Sequence, residues 1–162
     1  MYLNGESQGA RRKTGDDLHV EWSLSFTPGT LKAIGRIGGR EILIREVKTA
    51  GAPAKIVLEA DRSVIAADGE DLSFVTVKIL DEEGTAVPYA DNPILFEIFG
   101  AGKIAGIDNG LQTSEESFSE NPHKAFNGLC LAVVESNTKS GKITLKATSE
   151  GLAGATVVIN AK

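Results

Sequence analysis

Apolar and polar residues alternate along His19-Val20-Glu21-Trp22-Ser23-Leu24-Ser25-Phe26, which places Val20, Trp22, Leu24 and Phe26 on one face. That period of two predicts a half-buried β-strand. Thr27-Pro28-Gly29 predicts a turn, since proline presets φ and glycine accepts the conformation that follows. The strand pattern resumes over 30–37, Gly38-Gly39 supplies a two-residue hairpin loop, and the chain returns over 41–48. Three strands packed this closely leave no room for a helix.

Beyond Thr49-Ala50-Gly51-Ala52-Pro53 the pattern restarts. Strands are predicted over 54–60, 72–80, 93–99, 102–107, 128–135, 142–149 and 153–159. Within 72–80, Val75, Val77 and Ile79 alternate with Thr76 and Lys78, and Asp81-Glu82-Glu83-Gly84 and Ser149-Glu150-Gly151 read as hairpin turns. No stretch sustains the 3.6-residue period of a helix, so the chain is expected to be all-β, with the strand spacing of a sandwich. The longest connection runs over 108–127, beyond the usual loop length, which predicts a functional or locally ordered segment.

Composition narrows the function classes. The 162 residues carry a formal charge of -5, and the one basic run, Arg11-Arg12-Lys13, is a solvated turn and no counter-surface for phosphate. Nucleic acid is therefore not an expected partner. A single cysteine, Cys130, excludes an internal disulfide and a thiolate metal cluster. It lies in the apolar run Leu129-Cys130-Leu131-Ala132-Val133-Val134 and reads as a small buried hydrophobe. No segment approaches the ~20 apolar residues of a membrane helix, and Met1-Tyr2-Leu3-Asn4-Gly5 has neither the basic nor the apolar region of a signal peptide.

Thr30-Leu31-Lys32-Ala33 opens a strand-turn-strand that closes the first segment, and Thr144-Leu145-Lys146-Ala147 opens one that closes the second. If both segments are sandwiches, residues 1–52 lack their opening strands, because such a domain needs at least about seven. The face formed by Val20, Trp22, Leu24 and Phe26 also needs a second layer. The expected organisation is therefore tandem immunoglobulin-like β-sandwiches, the first (1–52) truncated at its N-terminus with Met1 close to an artificial start, the second (53–162) complete. Val157-Val158-Ile159-Asn160-Ala161-Lys162 fits a natural end.

Tyr2-Leu3-Asn4-Gly5-Glu6-Ser7-Gln8-Gly9, Val20-Glu21-Trp22, Phe26-Thr27-Pro28-Gly29-Thr30-Leu31-Lys32-Ala33 and Glu46-Val47-Lys48-Thr49-Ala50-Gly51-Ala52-Pro53 resemble the latter part of the immunoglobulin-like domain that follows the catalytic barrel in glycoside hydrolase family 2. Residues 66–77, 102–110 and 124–131 are similar to that family's terminal immunoglobulin-like domain. The resemblance implies a non-catalytic accessory region of a retaining, β-galactosidase-like enzyme, secreted or periplasmic, whose catalytic glutamates lie on a barrel upstream. It also implies the partners, namely that barrel or other domains of the parent. A rival reading, an invasin-type cell-surface adhesin repeat, rests on Ala67-Asp68-Gly69 followed by residues 75–84 and Val87-Pro88.

No catalytic residue, metal site or cofactor is expected in the chain. A retaining glycosidase needs two carboxyls about 5 Å apart across a sugar pocket, whereas Glu115 and Glu116 are neighbours on one loop. His19 falls on the polar side of its predicted strand, and His123 is expected to be a surface or loop-packing residue. The loop beginning Asp108-Asn109-Gly110 is rich in oxygen ligands but lacks the spacing of a calcium-binding loop, so a tight turn capped by its own side chains is the simpler reading. Carbohydrate is the one ligand considered, with Tyr89, Asp108 and Asn109 as candidate binding residues. Trp22, Phe26, Phe74 and Phe96 fall at positions that suit a core.

Overall fold

The computed structural model describes all 162 residues, Met1–Lys162. It is all-β, and the chain separates into two compact units, Met1–Thr49 and Ala50–Lys162.

The first unit is a single antiparallel sheet. Its strands are β1 (Tyr2–Leu3), β2 (Glu6–Ser7), β3 (Thr30–Ile37) and β4 (Arg40–Lys48), in the order β2-β1-β3-β4. The short hairpin of β1 and β2 was not anticipated from the pattern, since two-residue strands show no period. The signal present was Asn4-Gly5, the favoured pair where both turn residues need positive φ, and here they take +52° and +85°. The Asn4 side chain ties this hairpin to β3: its Oδ1 accepts from Thr30 N at 2.7 Å and its Nδ2 donates to Pro28 O at 3.0 Å.

The strand predicted over His19-Phe26 does not form. The segment is free of regular structure, Phe26 is 81% exposed and Leu24 38%, while Val20 and Trp22 are half-buried. Alternation specifies which side chains share a face, but a strand exists only when a neighbour's backbone pairs with it, and none does. Instead the Arg11 guanidinium sits 5.8 Å from the centroid of the Trp22 ring.

The second unit is a two-layer sandwich, as predicted. Its strands are β5 (Lys55–Ala60), β6 (Val64–Ile65), β7 (Leu72–Leu80), β8 (Pro93–Gly100), β9 (Gly102–Asp108), β10 (His123–Lys124), β11 (Leu129–Ser136), β12 (Gly141–Thr148) and β13 (Ala155–Ala161). One sheet runs β10-β8-β12-β13-β6 and the other β5-β7-β11-β9. Alternate residues of facing strands fill the space between them: Val75, Val77 and Ile79 from β7 and Ala132 and Val134 from β11 meet Ile143, Leu145 and Ala147 from β12, all at 0% exposure. The chain passes from one sheet to the other between β8 and β9 with Ala101 alone as connector. Gly100 makes that corner possible, because at φ +96° a Cβ would lie 2.0 Å from Lys142 O.

Ala50 to Pro53 belong with the sandwich for a specific reason. Asp81, buried at the end of β7, accepts Gly51 N at 2.8 Å and Thr85 N at 2.7 Å. The hydrogen bond from Gly51, with those from Thr85 and its neighbours, holds the Asp81 carboxyl below its ordinary value despite burial.

Candidate functional site

Residues 109–128 form the longest connection in the sandwich, and short-range hydrogen bonds order its start. Asp108 Oδ1 accepts from Asn109 N at 2.8 Å and Gly110 N at 3.1 Å, while Asn109 Oδ1 accepts from Leu111 N at 2.9 Å. These are the Asx turns that short polar side chains make with their own backbone. Asn109 then spans the loop by donating Nδ2 to Lys124 O at 3.0 Å.

The far end is anchored by Asn121 and His123, of which only His123 stood out in the sequence. Asn121 uses its side-chain amide as a strand would use its backbone, accepting Phe96 N at 3.0 Å and donating to Phe96 O at 2.8 Å, and so satisfies the open edge of β8. His123, expected as a surface or loop-packing residue, is 1% exposed on β10, which pairs with β8, and so takes the packing role. Its Nε2 lies 3.7 Å from Glu116 Oε2, and its Nδ1 has no partner. The two roles stayed open in the sequence because β10 is only two residues long, too short for alternation to show which one points inward. Midway, Phe118 O accepts from Ile107 N at 2.8 Å, covering the outer edge of β9.

Between this loop and Asp91 lies an open cleft of about 670 Å³, with Asn109, Glu115, Glu116, Glu120 and Lys124 on its wall and Phe126 half-buried at its side. The three carbohydrate-binding candidates do not converge there. Asn109 lines the cleft, but its amide is committed to Leu111 and Lys124. One Asp108 oxygen caps the turn beside it. Tyr89, 63% exposed, lies outside the lining and donates its hydroxyl to Gly51 O at 2.8 Å. Glu115 and Glu116 sit side by side on the wall, so they cannot take opposite faces of a sugar. Nor is Cys130 chemically poised: it is 3% exposed, and burial pushes its thiol up to about 12, leaving no thiolate near neutral pH.

Comparison with known proteins places this architecture. Residues 56–158 match the model of the glycoside hydrolase family 2 C-terminal domain 5, and residues 1–43 match a domain of unknown function, DUF4982. The chain is 49% identical over its whole length to the β-galactosidase BoGH2A of Bacteroides ovatus, of which it covers 19%. It is 37% identical over 124 residues, 76% of the chain, to a β-galactosidase of Thermoanaerobacter pseudethanolicus, of which it covers 15%. Among solved structures, a family 2 glycosyl hydrolase from Bacteroides cellulosilyticus superposes with a TM-score of 0.94 at 36% identity, over 99% of this chain and 21% of that one. A β-glycosidase from Bacteroides vulgatus gives a TM-score of 0.88 at 26% identity, over 99% and 20% respectively. The chain thus spans between 15% and 21% of the length of these relatives, and it belongs to glycoside hydrolase family 2.

Proposed function

We propose that this chain is a non-catalytic structural region of an exported, retaining β-galactosidase-type enzyme, whose acid/base and nucleophile carboxylates are carried by the remainder of the parent polypeptide. The observation that carries the reading is identity of 49% along the entire chain to a protein named a β-galactosidase, of which the chain is a fifth. That breadth favours the glycosidase over the adhesin. The site geometry agrees with a role without chemistry, because the Asp108, Asn109 and Asn121 side chains are spent on ordering their loop.

In the first unit the same reading supplies a missing layer. One face of its sheet carries Leu3, Leu31 and Val47, then Ala33 and Arg45, with Leu43 beyond, while the other carries Tyr2, the Lys32–Glu46 and Arg36–Glu41 pairs, and Ile34 beside Ile44. The less charged face suits the interior of a sandwich completed by other strands of the parent.

The decisive experiment is hydrolysis of a chromogenic β-galactoside. The isolated chain should show no turnover, the full-length parent should show it, and Glu115→Gln or Glu116→Gln should leave the parent's rate unchanged. Turnover that copurifies with the isolated chain and disappears in either variant would overturn the reading. Export is checked separately by fractionating cells that express the parent, where an exclusively cytoplasmic pool would contradict it.

A further inference from the structure

The central strands of the two sandwich sheets differ on their outward sides. In β12 the core residues Ile143, Leu145 and Ala147 alternate with Lys142, Thr144, Lys146 and Thr148, the pattern of a strand with one wet face. In β11 the core residues Cys130, Ala132 and Val134 alternate with Leu129, Leu131 and Val133 instead. A strand apolar on both sides is the signature of one enclosed on both sides, yet Leu129 is 45% exposed and Leu131 and Val133 are only partly covered.

The neighbours of β11 extend this surface into a strip. Register places Phe74 of β7, 42% exposed, against Val133 on one side, and Gly106 of β9 against Val133 on the other. Gly106 offers no side chain there, and Phe118 of the long loop packs beside it, its Cβ 3.9 Å from where a Gly106 Cβ would stand. Phe118 is itself 68% exposed. Two phenylalanines therefore flank a low floor of Val133 and Gly106, spaced by about three strand separations, roughly 14 Å. Charged residues border the strip as closed pairs, Lys78–Glu59 at 2.6 Å and Lys103–Glu135 at 2.8 Å. An apolar centre with a polar rim is the anatomy of a protein interface.

We propose that this outer face of the β5-β7-β11-β9 sheet is a docking surface, and that its occupant is an apolar surface on the rest of the same polypeptide. The inference rests on the reading of the chain as one region of a longer family 2 enzyme. The occupant follows from the size of the strip and from the tether. Charge does not select it, since Lys55 of β5 and Asp108 of β9 stand on the same face outside the two closed pairs. The strip is small: Leu129, Leu131, Val133, Phe74 and Phe118, with Val57, Leu72 and Leu80 at the margin of the same face, make a smaller surface than the roughly 20–30 residues per partner of a stable free-standing interface. A second copy would not be held by so little. A tethered domain, present at an effective concentration of order millimolar, would be, and the solved relatives have about four fifths of their chain outside this region.

Thiol labelling tests the proposal without large perturbation, because Cys130 is buried and silent in the folded protein. Phe74→Cys, Phe118→Cys and, as a control on the outer face of the other sheet, Phe99→Cys are introduced both into the full-length parent and into this chain alone. Positions 74 and 118 should label at least tenfold more slowly in the parent than in the isolated chain, while position 99 changes less than threefold. Equal rates in both contexts would overturn the proposal. So would protection within the isolated chain that grows with its concentration, which would identify a second copy as the occupant. The β-galactoside assay on the same parent preparation separates the two ideas: absent hydrolysis removes the proposed function, whereas unprotected 74 and 118 in an active enzyme removes only the docking surface.

Discussion

The two units of this chain are written in the same alphabet of alternating residues, but only one of them closes a core. Every buried residue is Ile56 or lies beyond it, whereas no residue from Met1 to Thr49 is buried. In β4 the contrast is direct: Ile42 is 58% exposed, Leu43 48%, Ile44 46% and Val47 68%, although the strand pairs with β3 along its length. Backbone pairing organises a sheet, and burial against a second layer stabilises it. The sandwich has both, and the first unit has one.

Hydrogen exchange on the isolated chain is the strongest way to break this comparison. Amides in β7, β11 and β12 should exchange at least about a thousandfold more slowly than those in β3 and β4, as ~4 kcal/mol of additional opening free energy requires. Similar protection in the two units would mean that the single sheet has a stability its burial does not explain.

A matched pair of truncations comes next. Leu145→Ala removes a fully buried side chain from the sandwich and should cost about 2–5 kcal/mol in urea unfolding. Ile44→Ala, at a half-exposed position of β4, should cost less than about 1 kcal/mol. Alkylation of Cys130 reports on the sandwich alone, since the native thiol is sequestered and reacts only when that unit opens.

A smaller effect sharpens where the sandwich begins. The hydrogen bonds from Gly51, Thr85 and the residues before Thr85 hold Asp81 below the ordinary value of 3.8, so their contribution is complete above that value and is lost as pH falls through the lower folded-state one. Asp81→Asn should flatten the acid limb of the sandwich's stability against pH and release residues 50–53 to faster exchange. An unchanged acid limb would show that this carboxylate is not what holds the segment. The smallest effect is expected for Lys32→Ala, which removes a half-exposed ion pair with Glu46 and should shift stability by less than about 1 kcal/mol, screened further by salt.

Much of this was legible beforehand, for reasons visible in particular residues. Val75, Val77 and Ile79 alternate with Thr76 and Lys78 because one side of β7 faces the core, and the predicted span 72–80 is the observed strand. Gly38-Gly39 announced the β3–β4 hairpin, and Asp108-Asn109-Gly110 forms the self-capped turn its composition suggests. The candidate site was less accessible. Asn121 and His123 acquire their roles from Phe96, Ile94 and Glu116, and the first two of these lie more than twenty residues away along the chain.

The amino-acid sequence by itself determined the all-β class and the seven longer strands of the sandwich, because a period of two is imposed locally by strand geometry; the two-residue β6 and β10 show no period, and Phe74, expected in the core, stands on the outer face. Only the tertiary structure decided what each face meets. The segment 19–26 carries as clean an alternation as any in the chain and forms no strand, for want of a neighbouring backbone. The run 129–134 conceals its alternation altogether, and only the fold separates Cys130, Ala132 and Val134 in the core from Leu129, Leu131 and Val133 outside it. Periodicity is a property of one strand; pairing and burial are properties of two.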